Sequence, residues 1–220
     1  MDYRFIKTLE FNFNFGTLIA VDFSSCCEES NLYNINEEII NEIKDSVKNQ
    51  GIPDLIWFKG IGDSTKYSKS KQIIEMIKES YPYQKIGVYL NCAIFQDIIV
   101  RENFYGCDLV AINLNSIDPL NFSKINKCPE STKSKEVLEG IKEFSHKFKG
   151  KLGIYTMFLS GINDNIKNIE DLREFLLEVM PDYYSISNYT LDGFKPVSDK
   201  FKKLLEEILK DIPFKVIYMF

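Results

Sequence analysis

Short apolar runs alternate along this chain with longer segments in which apolar residues recur at helical spacing. The first pattern is that of buried strands and the second that of amphipathic helices. The opening stretch, Tyr3 to Phe15, alternates at its end, with Phe11, Phe13 and Phe15 on one side and Asn12 and Asn14 on the other; it reads as an edge or covering strand. After Gly16, TLIAVDF is a continuous apolar run of the fully buried kind, and it ends in the polar loop SSCCEESNLYN. A helix follows, capped by Asn36, carrying Ile39, Ile40, Ile43 and Val47 on one face and stopped by Gly51 and Pro53. DLIWF, KIGVYL, DLVAINL, KLGIYTMFL and YYSISNY read as further strands. Between them the spacing predicts helices through Ile73, Ile74, Ile77 and Tyr81, and through Ile98, Ile99 and Val100. A short helical piece and a longer one through Val137, Leu138, Ile141 and Phe148 come next, then one capped by Asn168 and carrying Leu172, Phe175, Leu176 and Val179. Ser198 opens a last helix through Phe201, Leu204, Leu205 and Ile208, and PFKVIYMF closes the chain.

Six buried strands, each followed by an amphipathic helix at roughly 30-residue spacing, imply a parallel sheet with helices on one or both faces. A closed eight-unit barrel usually needs about 250 residues. With 220 residues, this chain points to an open partial barrel or a doubly wound sheet, in a single domain over 1–220. No internal sequence repeat and no linker stands out.

Composition narrows the function classes. The formal net charge is -5, with 27 basic and 32 acidic residues scattered along the chain, so there is no basic stripe for direct nucleic-acid binding and no polybasic membrane anchor. The first residues lack the pattern of a signal peptide and no apolar run reaches spanning length, which points to a cytoplasmic protein. Five cysteines, Cys26, Cys27, Cys92, Cys107 and Cys128, are an odd number without framework spacing and read as thiols or metal ligands rather than disulfides. The one histidine, His146, lies among lysines and reads as a surface residue, which disfavours a His-based zinc site or a Ser-His-Asp triad.

The most site-like stretch is Asp54 to Thr65, where DLIWF runs into KGIGDST. Gly60 and Gly62 open backbone conformations closed to other residues and let a ligand approach, Asp63 adds an acceptor, and Ser64 and Thr65 add hydroxyls. In a parallel α/β protein such a loop lies at the carboxyl end of its strand, the face where ligands bind. A plain strand-to-helix turn would use the same glycines.

Taken together, GIGDST after the second strand, DLVAINLNSID at the fourth, FSKIN, and EVLEGIKEFSHKFKGKLGIYTMFLSGINDN leading out of the fifth resemble the radical SAM superfamily. Within it, the chain looks most like the archaeal branch related to tRNA wyosine-synthesis enzymes. The resemblance runs from about Gly16 to Asp192. It implies a six-unit partial (β/α) TIM-like barrel as the core over 16–192, an N-terminal strand or covering segment over 1–15, and a C-terminal helix and strand over 193–220. The family's loop after the first strand carries CxxxCxxC, whose thiolates hold a [4Fe-4S] cluster with one iron open to S-adenosylmethionine. Here, with Cys26 in the first position, the other two fall on Ser30 and Tyr33; with Cys27, they fall on Asn31 and Asn34. Cluster iron wants thiolate sulfur, so the family's radical chemistry is expected to be absent.

Other family positions survive in altered form. Gly60 and Gly62 match the loop that holds the amino group of S-adenosylmethionine, Asp63 stands where the family has a glutamate, and Ser64 where proline is common. Asn113, Asn115 and Ser116 lie where the family contacts the ribose or carboxylate, and Asn188 ends the sixth strand. The resemblance thus implies a pocket for S-adenosylmethionine or a related nucleoside lined by Gly60, Gly62, Asp63, Ser64, Thr65, Asn113, Asn115, Ser116 and Asn188, although each could equally cap a strand end or a turn. A noncanonical iron-sulfur or zinc site from Cys26, Cys27, Cys92 and Cys128 is the metal alternative. Three functional readings follow. The first is a cluster-less homologue with no cofactor, acting as partner or regulatory subunit of another protein. The second is an enzyme using S-adenosylmethionine or an atypical cysteine-held metal, in RNA or cofactor modification. The third, an ordinary partial-barrel enzyme acting on a phosphorylated metabolite, lacks a phosphate loop.

Overall fold

A computed structural model describes residues 6–10, 17–22, 35–61, 64–120, 122–188 and 195–220. The strands are β1 (Ile6–Glu10), β2 (Thr17–Asp22), β3 (Leu55–Ile61), β4 (Ile86–Asn91), β5 (Leu109–Asn113), β6 (Lys151–Met157), β7 (Tyr183–Ser187) and β8 (Lys215–Met219), in sheet order β1-β2-β3-β4-β5-β6-β7-β8. β1 pairs antiparallel with β2, from Ile6 opposite Val21 to Glu10 opposite Thr17, whereas β2–β3, β3–β4, β6–β7 and β7–β8 pair in parallel. The expected parallel α/β architecture with an extra N-terminal strand is therefore present, and the closing segment PFKVIYMF joins it as β8. The alternation at Phe11, Phe13 and Phe15 lies outside the described residues.

The helices are α1 (Ile35–Gln50), α2 (Ser64–Ser80), α3 (Ile98–Glu102), α4 (Phe122–Asn126), α5 (Ser134–Lys147), α6 (Ile166–Val179) and α7 (Asp199–Leu209), with a 3-10 turn at Cys92–Gln96. Contacts divide the chain into two compact units: Met1–Leu90 with Glu102–Val110, and Asn91–Arg101 with Ala111–Phe220.

In the first unit, α1 buries Ile39, Ile40 and Ile43 and α2 buries Ile73, Ile74 and Ile77, as the helical spacing requires. Glu37 and Glu38 in the first turn of α1 and Lys48 in its last suit the helix dipole. Gly51, at φ +88°, ends the helix and its N–H reaches the Val47 carbonyl at 2.9 Å. Asn36 is not the cap: α1 begins at Ile35, and the Asn36 amide donates to Gln72 Oε1 at 2.9 Å, tying α1 to α2. Leu18, Ala20 and Leu55 form a cluster with Trp57 and Leu109. Gly87 makes room for the indole, because a Cβ there would lie 2.4 Å from Trp57 Cε3.

In the second unit, Val137, Ile141 and Phe144 of α5 and Leu172, Phe175, Leu176 and Val179 of α6 are buried. Two expectations change. The cap of α6 is Asn165, whose side chain accepts from the Asn168 N–H at 2.9 Å, and Asn168 itself is turned into the buried interior. On α3, Ile98 and Ile99 are exposed and Arg101 is the buried residue. A five-residue helix does not set its own face. Here Asp97 Oδ1 accepts the Ile99 N–H at 2.9 Å, and Arg101 donates to the Phe95 carbonyl at 2.8 Å and pairs with Glu143. Gly140 permits that anchorage, since a Cβ would stand 1.8 Å from Phe95 O. A lone glycine inside the helical pattern EVLEGIKEF was the sequence sign of this close approach.

One local device recurs along the chain. Asp54, Asp108 and Asp182 each stand directly before a strand and repeat one device. Asp54 Oδ2 accepts the Thr17 N–H at 2.8 Å, Asp108 Oδ2 that of Ile86 at 2.8 Å, and Asp182 Oδ2 that of Leu152 at 2.9 Å. In return the three aspartate N–H groups donate to the carbonyls of Thr17, Ile86 and Leu152 at 2.8–2.9 Å. Each clasp sets the register of a parallel pair at its N-terminal end.

Candidate functional site

In a parallel α/β sheet the carboxyl ends of the strands are the ligand face. Within the second unit, alternation gives the end of β5, β6 and β7 one fully buried face, with Ile112, Leu152, Ile154, Thr156, Tyr184 and Ile186, and one face that carries Asn113, Tyr155 and Ser185. Gly153 lies opposite Tyr183 and Tyr155 opposite Ser185. At the top of this second face the Tyr155 hydroxyl hydrogen-bonds Ser187 Oγ. These hydroxyls were missed in the sequence, although the period-two pattern of GIYTM and YYSIS places them.

Asn115 and Ser116 follow β5 and are buried, but their polar groups are committed to the protein. The Asn115 N–H donates to Asn126 Oδ1 at 2.6 Å, its Nδ2 donates to Asn113 Oδ1 at 2.9 Å, and its Oδ1 accepts the Met157 N–H at 2.9 Å. The Asn115 carbonyl accepts from Asn163 Nδ2 at 2.7 Å. Ser116 Oγ donates to Asn168 Oδ1 at 2.9 Å, and its carbonyl accepts from Asn126 Nδ2 at 2.8 Å. Asn163 Oδ1 in turn accepts the Leu159 N–H at 2.7 Å, and Asn91 Nδ2 donates to the Asn126 carbonyl at 2.8 Å. Asn91, Asn115, Asn126, Asn163 and Asn168 thus join the loops that leave three strands. Of the residues expected to contact a ligand here, Asn115 and Ser116 hold these loops together. Asn113 and Asn188 stay half-buried, and Asn188 Oδ1 accepts the Val197 N–H at 2.8 Å.

In the first unit, an ion pair joins the end of β2 to β3, Lys59 Nζ to Asp22 Oδ2 at 3.0 Å, between registered neighbours. Sequence reading missed both, although a charge closing an apolar run, AVD and WFK, was the available sign. Gly60 is in β3, and Ser64 and Thr65 begin α2; Gly62 and Asp63 lie outside the described residues, as do Cys26 and Cys27.

Two of the four candidate metal ligands are brought together. Cys92 opens the 3-10 turn after β4 and is fully buried, while Cys128 follows α4 and is half-buried. Cys128 Sγ lies 3.5 Å from Asn91 Oδ1, beside the turn that Cys92 opens, and the two thiols shift each other's titration. Burial first, and then Cys128, push the Cys92 thiol well up; Cys92 draws Cys128 below the ordinary thiol value. Cys107, ahead of β5, is buried and is pushed up to about 12 by burial and by Asp108. His146 is exposed, as expected.

No protein-family model matches the chain. A UPF0026 protein of Helicobacter pylori is 30% identical over 176 residues, 79% of this chain and 56% of that protein. The chain spans about half the length of the UPF0026 proteins it matches. Among solved structures, a radical SAM methyltransferase from Sphaerobacter thermophilus aligns with a TM-score of 0.70 at 13% identity, over 96% of this chain and 68% of that one. A queuine lyase from Clostridium spiroforme, bound to SAM and queuine, aligns with a TM-score of 0.53 at 14% identity over 99% and 96%. The fold is that of the radical SAM enzymes.

The cluster that the resemblance implies would need three spaced thiolates, and the sequence following β2 supplies two adjacent cysteines, Cys26 and Cys27. Among the described residues no three histidine, cysteine or carboxylate side chains gather as metal ligands, and Cys92 and Cys128 make a pair. No helix among the described residues is long and apolar enough to cross a membrane.

Proposed function

We propose that this chain is a radical SAM homologue that keeps the fold without the radical chemistry, and that it works in the cytoplasm as a partner or regulatory subunit of another protein. The observation that carries this reading is the broken cysteine spacing in SSCCEESNLYN, set in a chain that otherwise retains the strand and loop order of the superfamily. The order of motifs from GIGDST to SGINDN supports placing it beside the archaeal wyosine-synthesis branch. The internal commitment of Asn115 and Ser116 supports a scaffold, because a cofactor pocket would keep such groups free for its ligand.

Iron, sulfide and the visible spectrum, measured on protein reconstituted without oxygen, test it. The expected result is colourless, folded, metal-free protein. A stoichiometric cluster absorbing near ~400 nm would return the chain to the enzymes. Affinity capture from native cells should recover a stoichiometric partner, and a lone monomer would count against the subunit role. The competing reading, residual binding of S-adenosylmethionine, rests on the half-buried Asn113, Tyr155 and Asn188. Calorimetric titration decides it: heat and a raised melting temperature favour that reading, and their absence removes it.

A further inference from the structure

We propose that Cys92 and Cys128 form a thiol–disulfide exchange site, at which Cys128 takes a mixed disulfide from a low-molecular-weight disulfide and Cys92 resolves it into a Cys92–Cys128 bond. The backbone is shaped to bring Cys128 to the turn that Cys92 opens. Lys127, at φ +52°, takes the left-handed conformation that ends α4, and the Cys128 N–H closes back on the Ser123 carbonyl at 2.9 Å. This turns Cys128 toward the start of the 3-10 turn, where its Sγ lies 3.5 Å from Asn91 Oδ1. Asn91 is itself fixed, accepting the Ala93 N–H at 2.9 Å and donating to the Asn126 carbonyl at 2.8 Å.

The pair is asymmetric in the way an exchange site needs. Cys128 is half-buried and reachable by a small reagent, whereas Cys92 is fully buried and reachable only by Cys128. The lowered thiol value of Cys128 and the raised value of Cys92 agree with attacker and resolver. In the first step the Cys128 thiolate attacks one sulfur of the external disulfide; a protein–small-molecule S–S bond forms, the external S–S bond breaks, and one thiolate leaves. In the second, the Cys92 sulfur attacks Cys128 Sγ, the S–S bond between Cys128 and the small molecule breaks, and the departing thiolate, still beside the pair, takes the Cys92 proton and leaves as the second small thiol. Two protein thiols are oxidised and one external disulfide is reduced to two thiols. The inference is independent of whether the protein is catalytic.

Native protein titrated with oxidised glutathione, followed by thiol counting, peptide mapping and melting temperature, tests it. The expected map joins Cys92 to Cys128, with Cys128 consumed at least about tenfold faster than the buried Cys107, and the melting temperature rises by about 5 °C. Cys92→Ser should accumulate the mixed disulfide on Cys128, and Cys128→Ser should leave Cys92 unreacted. Should Cys92→Ser not fold, the wild-type map decides alone. A mixed disulfide that persists in the wild type, a bond from Cys128 to Cys26 or Cys27, or a Cys128 no faster than Cys107 would each overturn the proposal.

Discussion

The two ends of the parallel strands are built on different principles. At the N-terminal ends, Asp54, Asp108 and Asp182 repeat one local clasp on the strand before them. At the C-terminal ends within the second unit, Asn91, Asn115, Asn126, Asn163 and Asn168 form one irregular network through which separate loops satisfy one another. The clasp is written in single residues next to each strand, so it can be repeated. The network exists only when the loops meet, so every member depends on the others. In a parallel α/β protein the first end serves stability and the second carries the ligand chemistry. Here much of the second end is also structural, which is why the proposed function leans on the fold as a scaffold.

The largest expected effect breaks the network at its centre. Asn126→Ala removes the acceptor of the Asn115 N–H and the donor to the Ser116 and Phe122 carbonyls, all buried. Leaving such groups without partners should cost about 3 kcal/mol, read as a lowered urea midpoint with unchanged slope. A loss under about 1 kcal/mol would mean that water replaces the amide and that the network is not cooperative.

A clasp should be worth less. Asp182→Ala removes an acceptor from the Leu152 N–H and from Lys151 Nζ at 2.6 Å, on a side chain that is one-third exposed. Solvent can partly replace it, so about 1 kcal/mol is expected by the same measurement. Asp108→Ala, which frees the Ile86 N–H and Lys78 Nζ, should match it, because the clasps are separate copies of one device. Unequal losses would show that the repetition is only geometric.

The ends also share one feature that sharpens the contrast. Lys127, leading out of the network, and Met180, just ahead of the Asp182 clasp, both take positive φ, at 52° and 50°. A side chain is strained there, so Lys127→Gly and Met180→Gly should each stabilise by about 0.5 kcal/mol, net of the added freedom of the unfolded chain. If Lys127→Gly instead destabilises, the lysine side chain contributes to the C-terminal end beyond its backbone.

The same contrast explains what could be read from the sequence. Strands and amphipathic helices follow local periodicity, and Ile39, Ile43, Leu172 and Phe175 are buried where spacing puts them. Asn36, Asn168 and the pair Ile98 and Ile99 were misread because caps and very short helices are decided by what lies across the fold, as Gln72, Ser116 and Phe95 do here. The clasps were legible, since PDLIWF, CDLVAIN and PDYYSIS share an aspartate before the strand, but three identical residues among changing neighbours do not register as a repeat. For the candidate site, Asn113, Asn115 and Ser116 were found as strand-end polar residues. That Asn115 and Ser116 face inward to Asn126, Asn163 and Asn168 depends on contacts up to 52 residues apart, which no spacing rule reaches.

The smallest effect is a pH dependence specific to one clasp. Hydrogen bonds from the Thr17 N–H and hydroxyl, the latter at 3.1 Å, hold the exposed Asp54 carboxyl below its ordinary value of 3.8. The folded state therefore favours the charged carboxylate. In the window between the folded and unfolded values the unfolded chain binds more protons, so stability rises with pH there. Asp54 contributes fully above about pH 5, and its contribution falls away as the pH drops below about 4 and through the lowered folded value. Asp54→Asn keeps the shape of the acceptor and removes this titration. Its melting temperature should lie below that of the wild type at pH 7, and the gap should narrow steadily on acidification toward about pH 3. A gap that stays constant across that range would mean that the clasp needs only an oxygen at this position, and that the charge on Asp54 adds nothing to the N-terminal end.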